Sequence, residues 1–536
     1  MNRGDLRLSV RWDKSALLLL PVLFIGAGLR FYHIDHGLPS VVYVDAFKFV
    51  DAARQMVLTG DLEPRDLQYP GFYTYLLTGI YGLLGINSPY GLHLTARIVS
   101  ACFGTGLICL TYLAGRRVCA HGGALLAAAL TALSITCLTF SRIPATDCVL
   151  ACFTTAGLWL LTGQEVRPRA FAAAGVCLGL AVGTKFTGLY FGLPLLVAVA
   201  VRLLRSGNEP RVLRGLACSL IAALLVFVLT TPWIIPKFSD YLSRFLLELR
   251  LQQNGQIGRV QHGYFDYLTS RTVTWEQPWL RTSLFGNAGP VVLATGLGAC
   301  LLGLSYRFGF ACFLHSLYVV VYLLLISRPG HLKAVRFLIP ILPSLFIMSA
   351  WIVETSVALV AGRLKATAAV LAAVLVLGIP AYQSIGHLAM TRRTTTNEEA
   401  LTWMKSNLPA NASVLLSPFF VDNLQVETHR TVFVPEAGPR QYRVPGNPRA
   451  NSELAPVYCA GLIDELRAGG IRYIVSNSYY DDAFSDIAEN RRWFPRSAAA
   501  YAEWRVRLAR EAELVYTVLG QDAGRLGPDI RIYRLQ

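Results

Sequence analysis

Charge is scarce in this chain. Only 15% of its 536 residues are Asp, Glu, Lys or Arg, against 54% hydrophobic, and the mean hydropathy is +0.45. That composition excludes an ordinary soluble enzyme and points to a polytopic membrane protein. Acidic residues are scarcer than basic ones, 33 against 49. The net charge of +16 does not indicate nucleic acid, because Arg and Lys concentrate in short gaps between apolar runs, where membrane topology places them. Cysteine supplies no framework: ten of the eleven lie in or next to apolar runs, and only Cys459 lies in the polar C-terminal part. No CxxC or Cys/His cluster has zinc spacing, so neither disulfides nor a structural metal is expected. Met1 to Lys14 has the basic flank of a signal peptide, but no small-residue cleavage motif follows Leu17 to Phe31, which marks a retained first helix.

What is present is a succession of apolar runs. A membrane span needs about 20 apolar residues, with a range of roughly 17 to 25. Eleven candidates fall at 16–32, 95–115, 122–140, 148–163, 170–184, 187–203, 215–235, 289–305, 308–327, 335–357 and 366–386. With the N-terminus cytoplasmic because of Arg3, Arg7, Arg11 and Lys14, every alternate gap that falls inside is basic: Arg116 and Arg117; Arg167 and Arg169; Arg202, Arg205, Arg211 and Arg214; Arg307; Arg363 and Lys365. An odd number of spans leaves the C-terminus outside. The outer gaps hold the polar residues that topology does not explain: Asp45, Asp51, Tyr69-Pro70, Asp147, Lys185, His262, His331, Lys333 and Arg336.

The first outer loop contains two stretches too short to cross, 44–58 and Phe72 to Leu84, both read as helices lying at the interface. They either floor a cavity entered from lipid or merely pack the spans. Residues 1–390 thus form a membrane domain, and the composition changes over 391–536. There Thr396-Asn397-Glu398-Glu399 reads as a capping box opening a helix that stops at Pro409. Ser413 to Leu416 and Ile471 to Val475 read as strands, Leu462 to Ala468 and about 497–511 as helices, and Leu514 to Val518 and Ile530 to Tyr533 as further strands. This is a small extracytoplasmic α/β domain without phosphate loop, nucleophile elbow or metal cluster.

The outer polar residues suit one kind of chemistry. Transfer of a sugar from a polyprenyl phosphate requires a base for the acceptor proton, which a carboxylate supplies, and cations for the departing phosphate. A phosphate leaving group is a weak base, so one carboxylate and a cationic clamp suffice, unlike the carboxylate pair of glycosidases. Asp45, at the start of a helix beside the membrane, fits the base; its structural alternative is a helix-start acid satisfied by backbone amides. Asp147, at the outer mouth of the fourth span after Ser141-Arg142-Ile143-Pro144, is a second catalytic candidate or a plain helix-start acid. Arg142 is its candidate substrate-binding neighbour. Arg328-Pro329-Gly330-His331-Leu332-Lys333-Ala334-Val335-Arg336 places His331, Lys333 and Arg336 where they bind a donor phosphate or a lipid headgroup. Lys185, in a two-residue outer turn, joins that clamp or snorkels. Tyr69 and His262 are candidate substrate contacts. No cofactor is expected, and the sequence supports no divalent metal site.

In order and spacing, several of these motifs resemble the GT-C class of membrane glycosyltransferases over about residues 15–390. They are the Asp45 loop, Asp66-Leu67-Gln68-Tyr69-Pro70-Gly71-Phe72-Tyr73, Ala96-Arg97-Ile98-Val99-Ser100, Ser141-Arg142 with Thr146-Asp147, Thr184-Lys185-Phe186-Thr187-Gly188, and Arg336-Phe337-Leu338-Ile339-Pro340-Ile341-Leu342-Pro343. The groups most similar are the family 39 protein O-mannosyltransferases and the bacterial lipid A aminoarabinose transferase. The resemblance implies a GT-C-like fold of about eleven transmembrane helices with an appended soluble domain. It also implies inverting transfer of a hexosyl or pentosyl group from a polyprenyl-phosphate sugar to a lipid, glycan or protein acceptor, with the first-loop Asp as base or acceptor holder. Relatives often carry Asp-Glu in that loop, whereas Asp45 is followed by Ala46, which argues against a metal or second-carboxylate role there. The expected location is the bacterial cytoplasmic membrane. A transporter or flippase of a lipid-linked or anionic solute is the alternative; it fits less well because the ionisable groups collect at one surface, without an internal repeat, beside a soluble domain.

Overall fold

The computed structural model describes residues 17–38, 45–64, 67–163, 168–206, 210–254, 263–270, 280–281, 283–328, 333–409, 412–416, 430–433, 459–485, 488–520 and 523–536. The membrane part begins with α1 (Leu19–Phe31), α2 (Ala46–Thr59), α3 (Phe72–Leu84) and α4 (Pro89–Gly115). Next come α5 (His121–Leu133) and α6 (Ile135–Ser141), bent by 56° at Ser134, then α7 (Asp147–Leu161) and α8 (Pro168–Thr184). It continues through α9 (Gly192–Ser206), α10 (Pro210–Thr230), α11 (Phe238–Asn254) and the single turn α12 (Asp266–Thr269). It closes with α13 (Leu284–Gly303), α14 (Phe310–Ile326), α15 (Leu342–Ala358) and α16 (Leu364–Met390).

Each of the eleven apolar runs is helical, and the two interfacial stretches are α2 and α3. Among the described residues six helical segments are long and apolar enough to cross a membrane, or seven if the bent α5–α6 pair is one span. The other four expected spans, α1, α7, α8 and α14, are apolar helices of 13 to 17 residues, so helix length by itself does not establish eleven crossings. Helix α11 was not anticipated; it lies in what reads as an outer loop.

Small residues and buried arginines hold the bundle. Gly175, Gly179 and Gly183 recur every fourth residue along α8, and a Cβ on any of them would strike α10, at Ser219, Ala223 and Thr230 respectively. This is close helix packing through a small-residue stripe, as expected where lipid removes the hydrophobic drive between helices. Arg30 of α1 donates to the Gly26, Thr131 and Ala132 carbonyls at 2.9, 3.1 and 3.2 Å. Arg97 of α4 donates to the Ile34 and His36 carbonyls at 2.8 and 2.7 Å. Arg142 reaches the carbonyls of Leu29, Arg30, Tyr32 and His33 at 2.7, 3.3, 2.6 and 3.0 Å. Arg142 therefore satisfies carbonyls that the end of α1 leaves open, Arg30 those at the end of α5, and Arg97 those of the turn that follows α1.

At the opposite end, Glu354 of α15 accepts from the Ala120 and Gly123 amides at 2.8 and 2.7 Å, capping the start of α5. The basic gaps meet at this end: Arg202 donates to the Leu161 and Gly163 carbonyls, and Arg205 stacks on Tyr306 with its guanidinium carbon 3.9 Å from the ring centre. Four of the five gaps expected inside are thus joined by contacts: Glu354 reaches the first, Arg202 the second, and Arg205 of the third stacks on Tyr306 of the fourth.

In the C-terminal part, α17 (Thr396–Asn407) opens with a capping box, but on Thr395 with Glu398, one residue earlier than the sequence pattern indicated. The Thr395 backbone is extended there, the conformation an N-cap needs, and Thr396 is already helical. Five strands follow: β1 (Ser413–Leu416), β2 (Arg430–Phe433), β3 (Tyr473–Asn477), β4 (Ala512–Val518) and β5 (Ile530–Leu535). They form one sheet in the order β2-β1-β3-β5-β4. β1 pairs in parallel with β2 and β3, and β5 pairs antiparallel with β3 and β4. Helices α18 (Leu462–Ala468), α19 (Ser478–Phe484), α20 (Ala488–Trp493) and α21 (Pro495–Glu511) complete the unit. Of these elements β2, α19 and α20 were not anticipated, although Thr431-Val432-Phe433 carries the β-branched and aromatic signal of a strand. The domain is tied to the bundle by Arg392 Nε on the Tyr32 hydroxyl at 2.6 Å.

Candidate functional site

The two spans that carry the key cations both begin as 3-10 turns. Lys185 precedes the 3-10 segment Phe186–Phe191, and Arg336 sits within Val335–Ile341. Pro340 and Pro343 remove amide donors from the start of the second, which favours a tighter turn before the α-helix. In the first, a Cβ on Gly188 would run into the backbone of Ala181 and Val182. These unwound starts aim both cations at the beginning of α2 and α7.

Asp45 is where they meet. Its Oδ2 lies 2.8 Å from Arg336 Nη1 and its Oδ1 3.2 Å from Lys48 Nζ; the Asp45 and Arg336 side chains are only 13% and 10% exposed. Residues 291 positions apart in sequence thus form a bonded, largely desolvated pair. Asp45 precedes the first residue of α2 but makes no side-chain cap bond to that helix, so the helix-start alternative does not account for it. Burial pushes the Asp45 carboxyl up, but Arg336 and then Lys48 outweigh burial and hold it well below the usual carboxylate range.

Beside this pair, Asp147 in the first turn of α7 accepts from Lys185 Nζ at 2.7 Å. Lys185 and Arg336 lie over the same ring, 4.9 and 5.8 Å from the centre of Phe337. Lys185 also contributes to holding the Asp45 carboxyl down. Tyr69 borders the group: its ring packs edge-on against Phe49 at 5.0 Å, with Lys48 Nζ 5.8 Å from its centre. Burial, and then the Asp45 carboxylate, raise its phenol well above the ordinary value.

Lys333 stands one layer further out. Its Nζ is 3.3 Å from Asp266 Oδ2, it also donates to the Gly263 carbonyl, and Tyr267 donates to the Ala334 carbonyl at 3.3 Å. Burial lowers the Lys333 ammonium below its ordinary value, with Asp266 opposing. These contacts pin the stretch that leads to Arg336. His331 and His262 lie outside the described residues.

Arg142 requires a correction. The residue is 1% exposed and its two terminal nitrogens are spent on the carbonyls of Leu29, Arg30, Tyr32 and His33 and, at 3.4 Å, on His36 Nδ1. It clamps α1 and is not placed to receive substrate. Two residues that sequence reasoning missed join the site. Lys48 was legible from its i,i+3 spacing to Asp45. Glu248 of the unanticipated α11 carried no local signal; it accepts from Gln68 Nε2 at 2.7 Å, while Gln68 Oε1 accepts from Lys48 at 2.6 Å. Among the described residues no group of three or more His, Cys, Asp and Glu could hold a metal ion. The arrangement offers an anion site beside a carboxylate, which is what proton removal coupled to phosphate departure needs.

Comparison with known proteins bears on the fold. Residues 71–235, from just before α3 to just beyond α10, match the family model for dolichyl-phosphate-mannose-protein mannosyltransferase. No curated protein sequence matches the chain. Among solved structures, ArnT from Cupriavidus metallidurans in the apo state superposes with a TM-score of 0.58 at 13% identity, covering 97% of this chain and 98% of that one. The same protein bound to undecaprenyl phosphate gives 0.51 at 15% identity, covering 98% of each chain. The archaeal oligosaccharyltransferase AglB from Archaeoglobus fulgidus, in complex with an inhibitory peptide and a dolichol-phosphate, gives 0.56 at 14% identity, covering 89% of this chain and 71% of that one. This chain has the fold of the GT-C membrane glycosyltransferases, and residues 71–235 within it match the dolichyl-phosphate-mannose-protein mannosyltransferase family model.

Proposed function

We propose that this protein transfers a sugar from a polyprenyl-phosphate donor to an acceptor hydroxyl or amine on the outer face of a bacterial cytoplasmic membrane, with inversion at the anomeric carbon. The observation that carries the reading is the direct contact of Asp45 with Arg336 beside the Asp147–Lys185 pair. Arg336 and Lys185 take the donor phosphate, with Lys333 behind them. Once the phosphate engages Arg336, the Asp45 carboxylate is released from that partner and faces the acceptor. Asp45 accepts the acceptor proton as the acceptor oxygen or nitrogen bonds to the anomeric carbon. The bond from that carbon to the phosphate oxygen breaks on the opposite side, and its electron pair leaves with the polyprenyl phosphate. Asp147 holds Lys185 in position and Tyr69 closes the acceptor side. The solved ArnT and AglB complexes that contain a polyprenyl phosphate share this fold, which supports a lipid-phosphate donor here.

The test is incubation of purified protein in nanodiscs with a panel of radiolabelled polyprenyl-phosphate sugars, wild type against Asp45→Asn. The variant is expected to fold and bind donor while losing transfer by about 10²- to 10⁴-fold, the range for a general base. Full activity in Asp45→Asn removes the base and the proposal with it.

A further inference from the structure

Asp45 has two cations in contact, and only one of them belongs to the donor clamp. Lys48 is the other. It does not rest on Asp45 by chance: its ammonium is 3.2 Å from Asp45 Oδ1 and is fixed from the far side by Gln68 Oε1 at 2.6 Å. Gln68 is itself oriented by Glu248 of α11 at 2.7 Å. A carbonyl oxygen facing an ammonium is the only productive orientation of that amide, and the carboxylate of Glu248 enforces it by taking the amide NH₂.

We infer that Lys48 sets the proton affinity of Asp45 during turnover, and that the Gln68–Glu248 relay exists to keep it there. The inference rests on the donor-phosphate reading above. When phosphate draws Arg336 away, a largely buried carboxylate that has lost a contacting cation rises toward protonation, because burial disfavours its charge. A protonated Asp45 cannot accept a proton. Lys48 prevents this loss, since it lies on α2 one turn from Asp45 and is held independently of the phosphate. The other charged groups facing Asp45 do not replace it: Arg336 is committed to phosphate, Lys185 is bonded to Asp147, and Tyr69 carries no positive charge. Lys48 is thus a positioning residue that acts through Asp45.

The experiment uses farnesyl phosphate, a soluble isoprenyl phosphate, with the full chain in nanodiscs. Proton uptake on binding is measured calorimetrically in buffers of different ionisation enthalpy near pH 5.5, a point above the ordinary carboxylate value of about 4. Wild type and Lys48→Arg are expected to take up only the proton exchanged by the phosphate itself. Lys48→Gln is expected to take up an added fraction of a proton per site, and Lys48→Gln with Asp45→Asn to lose that addition. In turnover with the donor that the panel identifies, the acid limb of kcat in Lys48→Gln moves up by about one pH unit or more, the effect of removing a contacting opposite charge. The limb of kcat/KM moves less, because in the free enzyme Arg336 still holds Asp45. Equal proton uptake in wild type and Lys48→Gln overturns the inference while leaving the donor reading intact. Failure of farnesyl phosphate to bind the wild type overturns both.

Discussion

At the scale of single residues the molecule turns on how a carboxylate is kept ionised next to a membrane. Burial raises the Asp45 carboxyl and its two cations more than reverse this, so the folded value lies below the unfolded one. For a depressed carboxylate the pair stabilises the fold above the ordinary value of about 4, and that contribution is lost only as acid drives the pH down through the folded value. It follows that kcat/KM, which reports the free enzyme, shows no acid limb from Asp45 between about pH 5 and 8, where the carboxyl of about 4 is already ionised even before it is depressed. A limb in that range that vanishes in Asp45→Asn contradicts this. Arg142→Leu tests a different assignment. Removing charged donors from buried carbonyls costs about 1.5–3 kcal/mol for a bond to a charged group, so the variant is expected to lose thermal stability in detergent, with residual folded protein still binding farnesyl phosphate. Normal stability with lost acceptor affinity would instead return Arg142 to the substrate. The Asp45, Asp147, Lys185 and Arg336 set was legible because charges at the outer ends of apolar runs are expensive and rare. That Arg142 belongs to a different job was not, since sequence shows a charge beside Asp147 but not the carbonyls of α1 that lie 109 to 113 positions away.

At the scale of elements, the apolar-run pattern located each apolar helix of the bundle, and the cap and glycine signals located α17, α18 and their neighbours. They failed where tertiary contact decides. Helix α11 has mixed polarity that reads as a loop until Glu248 reaches Gln68 and Phe245 packs edge-on against Phe186 at 5.3 Å. The glycine stripe of α8 is a local pattern with a specific consequence. Gly179→Leu drives a side chain into Ala223 and Val226 of α10, and overpacking of this kind costs about 1–3 kcal/mol. The variant should show a lower unfolding temperature, with Gly179→Ala in between; an unchanged midpoint for Leu would mean that α8 and α10 are not in close contact. Likewise Glu354→Ala uncaps α5 and is expected to cost about 1 kcal/mol, up to about 2 in a partly buried site, read as a shift in denaturant midpoint.

At the scale of the whole molecule the charges segregate. The basic gaps expected inside gather at one end of the bundle around Glu354 and Arg202, whereas Asp45, Asp147, Lys185, Arg336 and the Lys333–Asp266 latch gather elsewhere. The C-terminal unit docks through Arg392 on Tyr32, just after α1, close to where Arg97 and Arg142 hold the same turn. That turn has a consequence for assembly. Arg30, in the last turn of α1, is a buried charge whose carbonyl partners Thr131 and Ala132 follow it in the chain by about a hundred residues. Helix α1 therefore completes its clasp only when α5 is in place, and Arg30→Leu, which takes a charged donor from the Gly26, Thr131 and Ala132 carbonyls, is expected to lower the unfolding temperature in detergent; an unchanged midpoint contradicts this.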